Sequence, residues 1–362
     1  MNDTIALLEK LIRTRPVTSD PERVNAATAV MRDYLASRGV FCRTEEFDGR
    51  QILYASNRES GTPEIILNSH MDVVPALDEQ FEPVIRDGIL YGRGACDCLG
   101  NAVCLTEILL KANTHVAAVF SADEETGGRT TKHMVDLGYK AKHAVLILDS
   151  GDDPTIIYEQ KGVLVVHLTA KGRDGHAAYP WKYDNPIDKL RAGYAKFRAK
   201  WENPSSETDW RNSMAACMMS AGSAPNQIPA EATMTINFRL VDAASREVIL
   251  RDLAETTGCE ITLGEDIPPV TFDKDDPVFL LLQRVLSDEV EGGKEIPLAR
   301  ICGATDSRHW SRLGIPVPVL GVRGGNEHSA GEYVELDSIG RYADGLVKFA
   351  DALAAKETAK NG

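Results

Sequence analysis

The chain has 362 residues, 43% of them hydrophobic, and a formal charge of -14, so two globular units are expected and nucleic acid or an anionic membrane is disfavoured as a partner. No apolar run approaches the roughly 20 residues that span a bilayer, and Met1 to Leu11 reads as an amphipathic helix rather than a signal peptide, which makes a cytoplasmic location the expectation. Seven cysteines, an odd number, with Cys96 and Cys98 too close to bridge comfortably, argue for reduced thiols rather than a disulfide framework.

Ile5, Leu8, Leu11 and Ile12 form a first helical face, and Val24, Ala27, Val30, Met31, Tyr34 and Leu35 a second that Gly39 ends. Residues 64–68, 116–120 and 144–148 are apolar runs of strand length, with helical patterns at 100–113 and 129–138 between the later ones. That alternation predicts an α/β fold with a mixed, mostly parallel sheet and helices on both faces. From Val163 the pattern becomes alternating strands at 163–171, 213–221, 231–241 and 259–264, interrupted by helices around 185–200 and 243–256. Two β-α-β units of this kind predict a small inserted α/β domain of ferredoxin-like type. After Pro268-Pro269 come a helix at 277–291, a strand at 317–321 and a C-terminal helix at 337–355. The expected division is therefore 1–162 with 271–362 as one domain and 163–270 as the insertion.

Acidic and imidazole groups recur after the strand-like runs: His70 and Asp72, Asp97, Glu124 and Glu125, Asp149, and His328. Open α/β sheets carry their chemistry at that edge. Oxygen and imidazole donors suit zinc, cobalt or manganese. Five ligands are too many for one tetrahedral ion; if Asp97 bridges, they divide into two sets of three with room for a shared water. A lone His-x-Asp or Glu-Glu is ordinary surface chemistry, and it is the recurrence at strand ends that points to a metal pair.

The motifs Asn68-Ser-His70-Met-Asp72-Val-Val-Pro75, Tyr91-Gly-Arg-Gly94 with Asp97, Ala122-Asp-Glu-Glu-Thr-Gly127, Gly303-Ala-Thr-Asp-Ser-Arg308 and His328-Ser-Ala-Gly-Glu-Tyr333 resemble, in order, those of the two-zinc aminoacylases, acetylornithine deacetylases, succinyl-diaminopimelate desuccinylases and related dipeptidases and carboxypeptidases. The resemblance covers nearly the whole chain and implies a zinc-exopeptidase-like catalytic domain with two divalent ions, zinc or else cobalt or manganese. It implies that His70, Asp97 and Asp149 hold one ion, and Asp97, Glu125 and His328 the other. Asp72 would orient His70, and Glu124 would be the general base that takes a proton from the bridging water and returns it to the leaving amine. Residues 163–270 look like the family's lid or dimerisation domain. There, His176 resembles a histidine that reaches across a homodimer to the scissile carbonyl. Arg308 resembles the arginine that pairs with a substrate carboxylate, and Asn226 a lid asparagine that contacts substrate.

The chain departs from the family at Leu99, where lysine is usual, and in the cysteines that flank Asp97. Position 149 is aspartate, as in the dipeptidases and aminopeptidases, where deacylases and carboxypeptidases usually have glutamate; Asp152 and Asp153 stand close enough to be alternative ligands. The expected activity is hydrolysis of the amide bond of a small substrate with a C-terminal carboxylate, with dipeptides placed ahead of N-acyl amino acids. A non-catalytic metal-binding homologue is the alternative of another class.

Overall fold

A computed structural model describes residues 2–149, 151 and 154–361. The chain forms two compact units, Met1–Tyr158 with Thr271–Arg300 and Thr305–Gly362, and Glu159–Val270 with Ile301–Ala304. Asp152 and Asp153, the alternative ligands, lie outside the described residues.

The first unit is built on a mixed sheet whose central strands are parallel. Ile65–His70 lies between Val116–Ser121 and Ala144–Leu148, and every residue of all three strands is buried. That burial on both faces is why their sequences are continuous apolar runs rather than alternating ones. His70 pairs in register with Ser121, so the segments that leave these strands emerge at one edge of the sheet. Val319–Leu320 continues the sheet parallel to Ala144–Leu148. This strand is shorter than the 317–321 expected because Pro316 and Pro318 have no N–H to offer the ladder, although their carbonyls accept from Val145 and Ile147 N.

Two features were not legible in the sequence. One is a hairpin, Phe41–Phe47 with Arg50–Ser56, turning at Asp48 and Gly49, both at positive φ. Its first strand is only half buried, so its pattern is blurred. The other is a small sheet of Val84–Arg86, Ile89–Tyr91, Gly324–Gly325 and Tyr333–Glu335. Two or three residues per strand are too few to show a period, yet this sheet pairs Tyr91 with Tyr333 and so brings two distant motifs together. Helices cover the unit, including Leu99–Lys111, almost wholly buried, and the long C-terminal Leu336–Asn361.

The second unit has its own apolar core and an antiparallel sheet ordered Ser213–Ala221, Glu231–Leu240, Gly162–Lys171, Glu260–Ile267. Helices Pro186–Arg198 and Ala244–Thr257 complete a β-α-β-β-α-β chain order, the expected ferredoxin-like arrangement. Burial alternates along Glu231–Leu240, as a sheet covered on one face requires. Among the described residues no helix is long and apolar enough to cross a membrane.

Candidate metal centre

The parallel register assembles the site. His70 ends one strand and is buried; its Nδ1 lies 2.9 Å from the Asp72 carbonyl oxygen, which leaves Nε2 facing Asp97 Oδ1 at 2.9 Å and Asp149 Oδ1 at 3.5 Å. The other carboxylate oxygen of Asp97 faces His328 Nε2 at 3.0 Å, and Glu125 Oε2 is 3.1 Å from the same nitrogen. Donor atoms of His70, Asp97 and Asp149, with the Cys98 sulfur, lie within 4.8 Å of one another, as do those of Asp97, Glu125 and His328. Asp97 belongs to both groups, one oxygen toward each.

The donors fit a pair of divalent ions. Both histidines present an imidazole nitrogen to two carboxylate oxygens, and hydrogen bonds to Asp97 and Glu125 push the pKa of His328 up to about 10. Burial works to raise Asp97, but its bonds to His328 and His70 prevail and hold it well below the usual carboxylate range. Buried Glu124 Oε1 and Glu125 Oε1 have no hydrogen-bond partner among the described residues. Such concentrated carboxylate is stable where cations neutralise it.

Glu124 stands apart from both ligand groups. Burial first, then the charges of Asp149 and Asp306, push its carboxyl well above the ordinary value, with Arg308 opposing. The Arg308 Nη2 atom is 3.4 Å from Glu124 Oε1, and that nitrogen makes no hydrogen bond among the described residues. The short helix Ser307–Trp310 holds this arginine in place because buried Trp310 donates its indole N–H to Asn68 Oδ1 at 2.7 Å. Gly128, at φ +62, keeps the turn after the glutamates open: a Cβ there would fall 2.0 Å from Asp306 Oδ1 and 3.2 Å from Arg308 Nη2.

Asp72 was expected to orient His70, and it does so. The structure gives the short contact to its backbone carbonyl, while the carboxylate, 3.5 Å from Nδ1, accepts from Thr18 Oγ1 at 2.8 Å and from the backbone N–H groups of Glu124 and Glu125 at 3.2 and 3.4 Å. Asp72 therefore also hooks the glutamate turn onto the strand end. The other two residues singled out, His176 and Asn226, lie in the second unit and are brought together there: Gly175–His176 pairs with Gln227–Ile228, and Ala177 N donates to Asn226 O at 2.9 Å. The exposed His176 ring accepts from Ala178 N at Nδ1, 3.1 Å, so the neutral imidazole carries its proton on Nε2.

Arg93 and Glu332 were not singled out. Their ion pair, 2.6 Å long and buried on both sides, spans 239 residues. Glu332 Oε1 also accepts from the backbone N–H groups of Cys96 and Asp97, both at 3.0 Å, so it positions the shared ligand. Both residues stood inside quoted motifs, but nothing local in the sequence says that they meet. Glu332→Ala should cost about 3–5 kcal/mol, because it leaves a buried guanidinium unpaired, and should lower metal retention as Asp97 loosens. Urea unfolding and elemental analysis check this; an unchanged midpoint with full metal content would remove Glu332 from the support of the site.

Leu99 is fully buried. Cys96 fills the space that Gly151 and Gly324 leave, where a Cβ would fall 1.9 and 2.7 Å from its sulfur, and so it packs.

Residues 66–352 match the sequence profile described as Peptidase family M20/M25/M40. A succinyl-diaminopimelate desuccinylase of Herminiimonas arsenicoxydans is 28% identical over 370 residues, covering 93% of this chain and 95% of that protein. The fold is shared with the aminopeptidase PepT of Bacillus cereus, at 18% identity and TM-score 0.80 over 97% of this chain and 98% of that one. It is shared too with the M20 family metallo-carboxypeptidase Sso-CP2 of Sulfolobus solfataricus, at 16% identity and TM-score 0.81 over 98% and 99%.

Proposed function

The chain belongs to peptidase family M20/M25/M40, and from that premise we propose that it is a dipeptidase or related exopeptidase whose substrates end in a free carboxylate. Hydrolysis of a carbon–nitrogen amide bond by a metal-dependent site goes with the family. The observation that carries the finer reading is the juxtaposition of Glu124 and Arg308: a buried carboxyl group outside both ligand groups, 3.4 Å from a guanidinium nitrogen that makes no hydrogen bond among the described residues.

His70, Asp97 and Asp149 would hold one ion, and Asp97, Glu125 and His328 the other, with zinc favoured by the imidazole and carboxylate donors over softer or harder choices, and cobalt or manganese able to replace it. When bound, such ions act as Lewis acids toward the scissile carbonyl and lower the pKa of water. Glu124 takes a proton from the attacking water at its carboxylate and passes it to the leaving nitrogen as the carbon–nitrogen bond breaks. The guanidinium fork of Arg308 pairs with the substrate carboxylate and fixes the scissile bond beside Glu124. Asn226 and His176 meet the substrate from the lid, and the Nε2–H of His176 donates to the developing oxyanion.

The lid acts from a second copy of the chain in this reading. Its support is the edge strand Ser213–Ala221, which ends the lid sheet with Met218 70% and Met219 56% exposed; monomeric proteins blunt such edges. A cytoplasmic location accords with the free state of all seven cysteines.

A second reading, removal of an acyl group such as succinyl from an amino acid, is favoured by the desuccinylase relative. Asp149 favours the peptidase, because the deacylases usually place glutamate there. A panel of dipeptides, their C-terminal amides, and N-acetyl and N-succinyl amino acids, assayed with defined metals, separates the two. The expected outcome is turnover of free dipeptides, loss on amidation, and abolition by EDTA with recovery on adding zinc, cobalt or manganese. Turnover confined to the N-acyl compounds would establish the deacylase instead, and activity indifferent to chelation would overturn both.

A further inference from the structure

We propose that Cys98 is an additional ligand to the ion held by His70, Asp97 and Asp149, and that it makes this half of the centre select thiophilic divalent ions; the inference rests on the two-ion reading above.

The sequence puts two cysteines around Asp97, and the fold sends them to different places. The sulfur of Cys96 meets Gly151, Gly324 and, at 3.4 Å, Glu327 Oε1. Cys98, fully buried, turns the other way, toward the strand ends that carry the ligands: its Sγ is 3.0 Å from Ser69 Oγ and 2.9 Å from Leu148 O, the residues that precede His70 and Asp149. Its sulfur lies within 4.8 Å of donor atoms of His70, Asp97 and Asp149, which are themselves that close together. Metal bonds of about 2.0–2.3 Å place the donors of one ion within roughly 4.5 Å of one another, so the four side chains match a single ion's surroundings.

His70, Asp97, Asp149 and the shared water give the ion four partners, and zinc or cobalt can expand to five. Sulfur can take the fifth position: as the Sγ–metal bond forms, the thiol proton leaves to solvent, and Ser69 Oγ–H stands where it can donate to the resulting thiolate. The other group, Asp97, Glu125 and His328, has no sulfur. The two halves therefore differ in softness: the His70 side should hold zinc, cobalt or cadmium against manganese or magnesium, while the His328 side exchanges them more freely.

Cobalt(II) added to the metal-free full-length chain tests this without reference to turnover. Near-ultraviolet sulfur-to-cobalt charge transfer should appear in the wild type and in Cys96→Ser and be absent from Cys98→Ser, whose tighter ion should be released to a competing chelator about tenfold more readily or beyond. Should Cys98→Ser not fold, Cys98→Ala carries the same test, since it removes the sulfur and leaves a small apolar side chain in its buried place. Two bound ions without the charge-transfer band in the wild type, or a band that survives removal of the Cys98 sulfur, would overturn the assignment. Elemental analysis keeps the premises apart, since uptake of fewer than two ions contradicts the two-ion reading, whereas the band reports on Cys98 at either stoichiometry.

Discussion

Glu124→Gln should lower kcat by about a thousandfold, within the range of roughly 10²–10⁴ that a positioned acid–base group contributes, while the protein still binds two divalent ions. The amide fills the same space but cannot accept the proton of the attacking water or return it to the leaving nitrogen. Metal content should hold because Glu124 is in neither ligand group. Folding should hold as well, and here the sign is informative. Burial and the charges of Asp149 and Asp306 raise the pKa of Glu124, so the folded protein keeps the proton more tightly than the unfolded chain. Ionisation of this group therefore costs stability as pH rises above its unfolded pKa, and the neutral amide should leave the thermal midpoint at pH 7 unchanged or higher. Residual activity within tenfold of wild type, with both metals present, would assign proton transfer to another residue.

His176→Ala should reduce kcat by about 10²–10³, the loss typical of a missing oxyanion donor, and mixing two inactive variants should partly restore it. In a dimer of one Glu124→Gln chain and one His176→Ala chain, the site on the His176→Ala chain retains its own Glu124 and receives His176 from the other chain. The second site lacks both groups. Mixed dimers should thus recover one working site each, whereas a histidine that served its own chain would give no recovery. Substituting Met218 and Met219 on the exposed edge strand with lysine should yield monomers that are almost inactive with metals bound; a fully active monomer would refute action in trans.

Much of the first unit was legible because its central strands are buried on both faces and so read as unbroken apolar runs. Each run was followed within a few residues by an acidic or imidazole group, which pointed to one edge of a parallel sheet before any coordinate. The lid was legible for the opposite reason: a sheet covered on one face alternates, as in Glu231–Leu240. Legibility failed where elements were too short to show a period, as at Val84–Arg86 and Ile89–Tyr91, and where Pro316 and Pro318 shortened the strand expected at 317–321 to Val319–Leu320.

The candidate site divides along the same line. The sequence by itself determined the donor types, their order along the chain and their position after strands, since apolar periodicity and residue chemistry are local properties. Only the tertiary structure decided that Asp97 turns one oxygen to His70 and the other to His328, that the Asp72 carboxylate holds the glutamate turn, that Arg93 meets Glu332 beneath Asp97, and that Cys98 faces the ligands while Cys96 packs away from them. These are contacts between residues up to 239 positions apart. They follow from strand register and from the path each loop takes across the sheet edge, and no local pattern of residues encodes either.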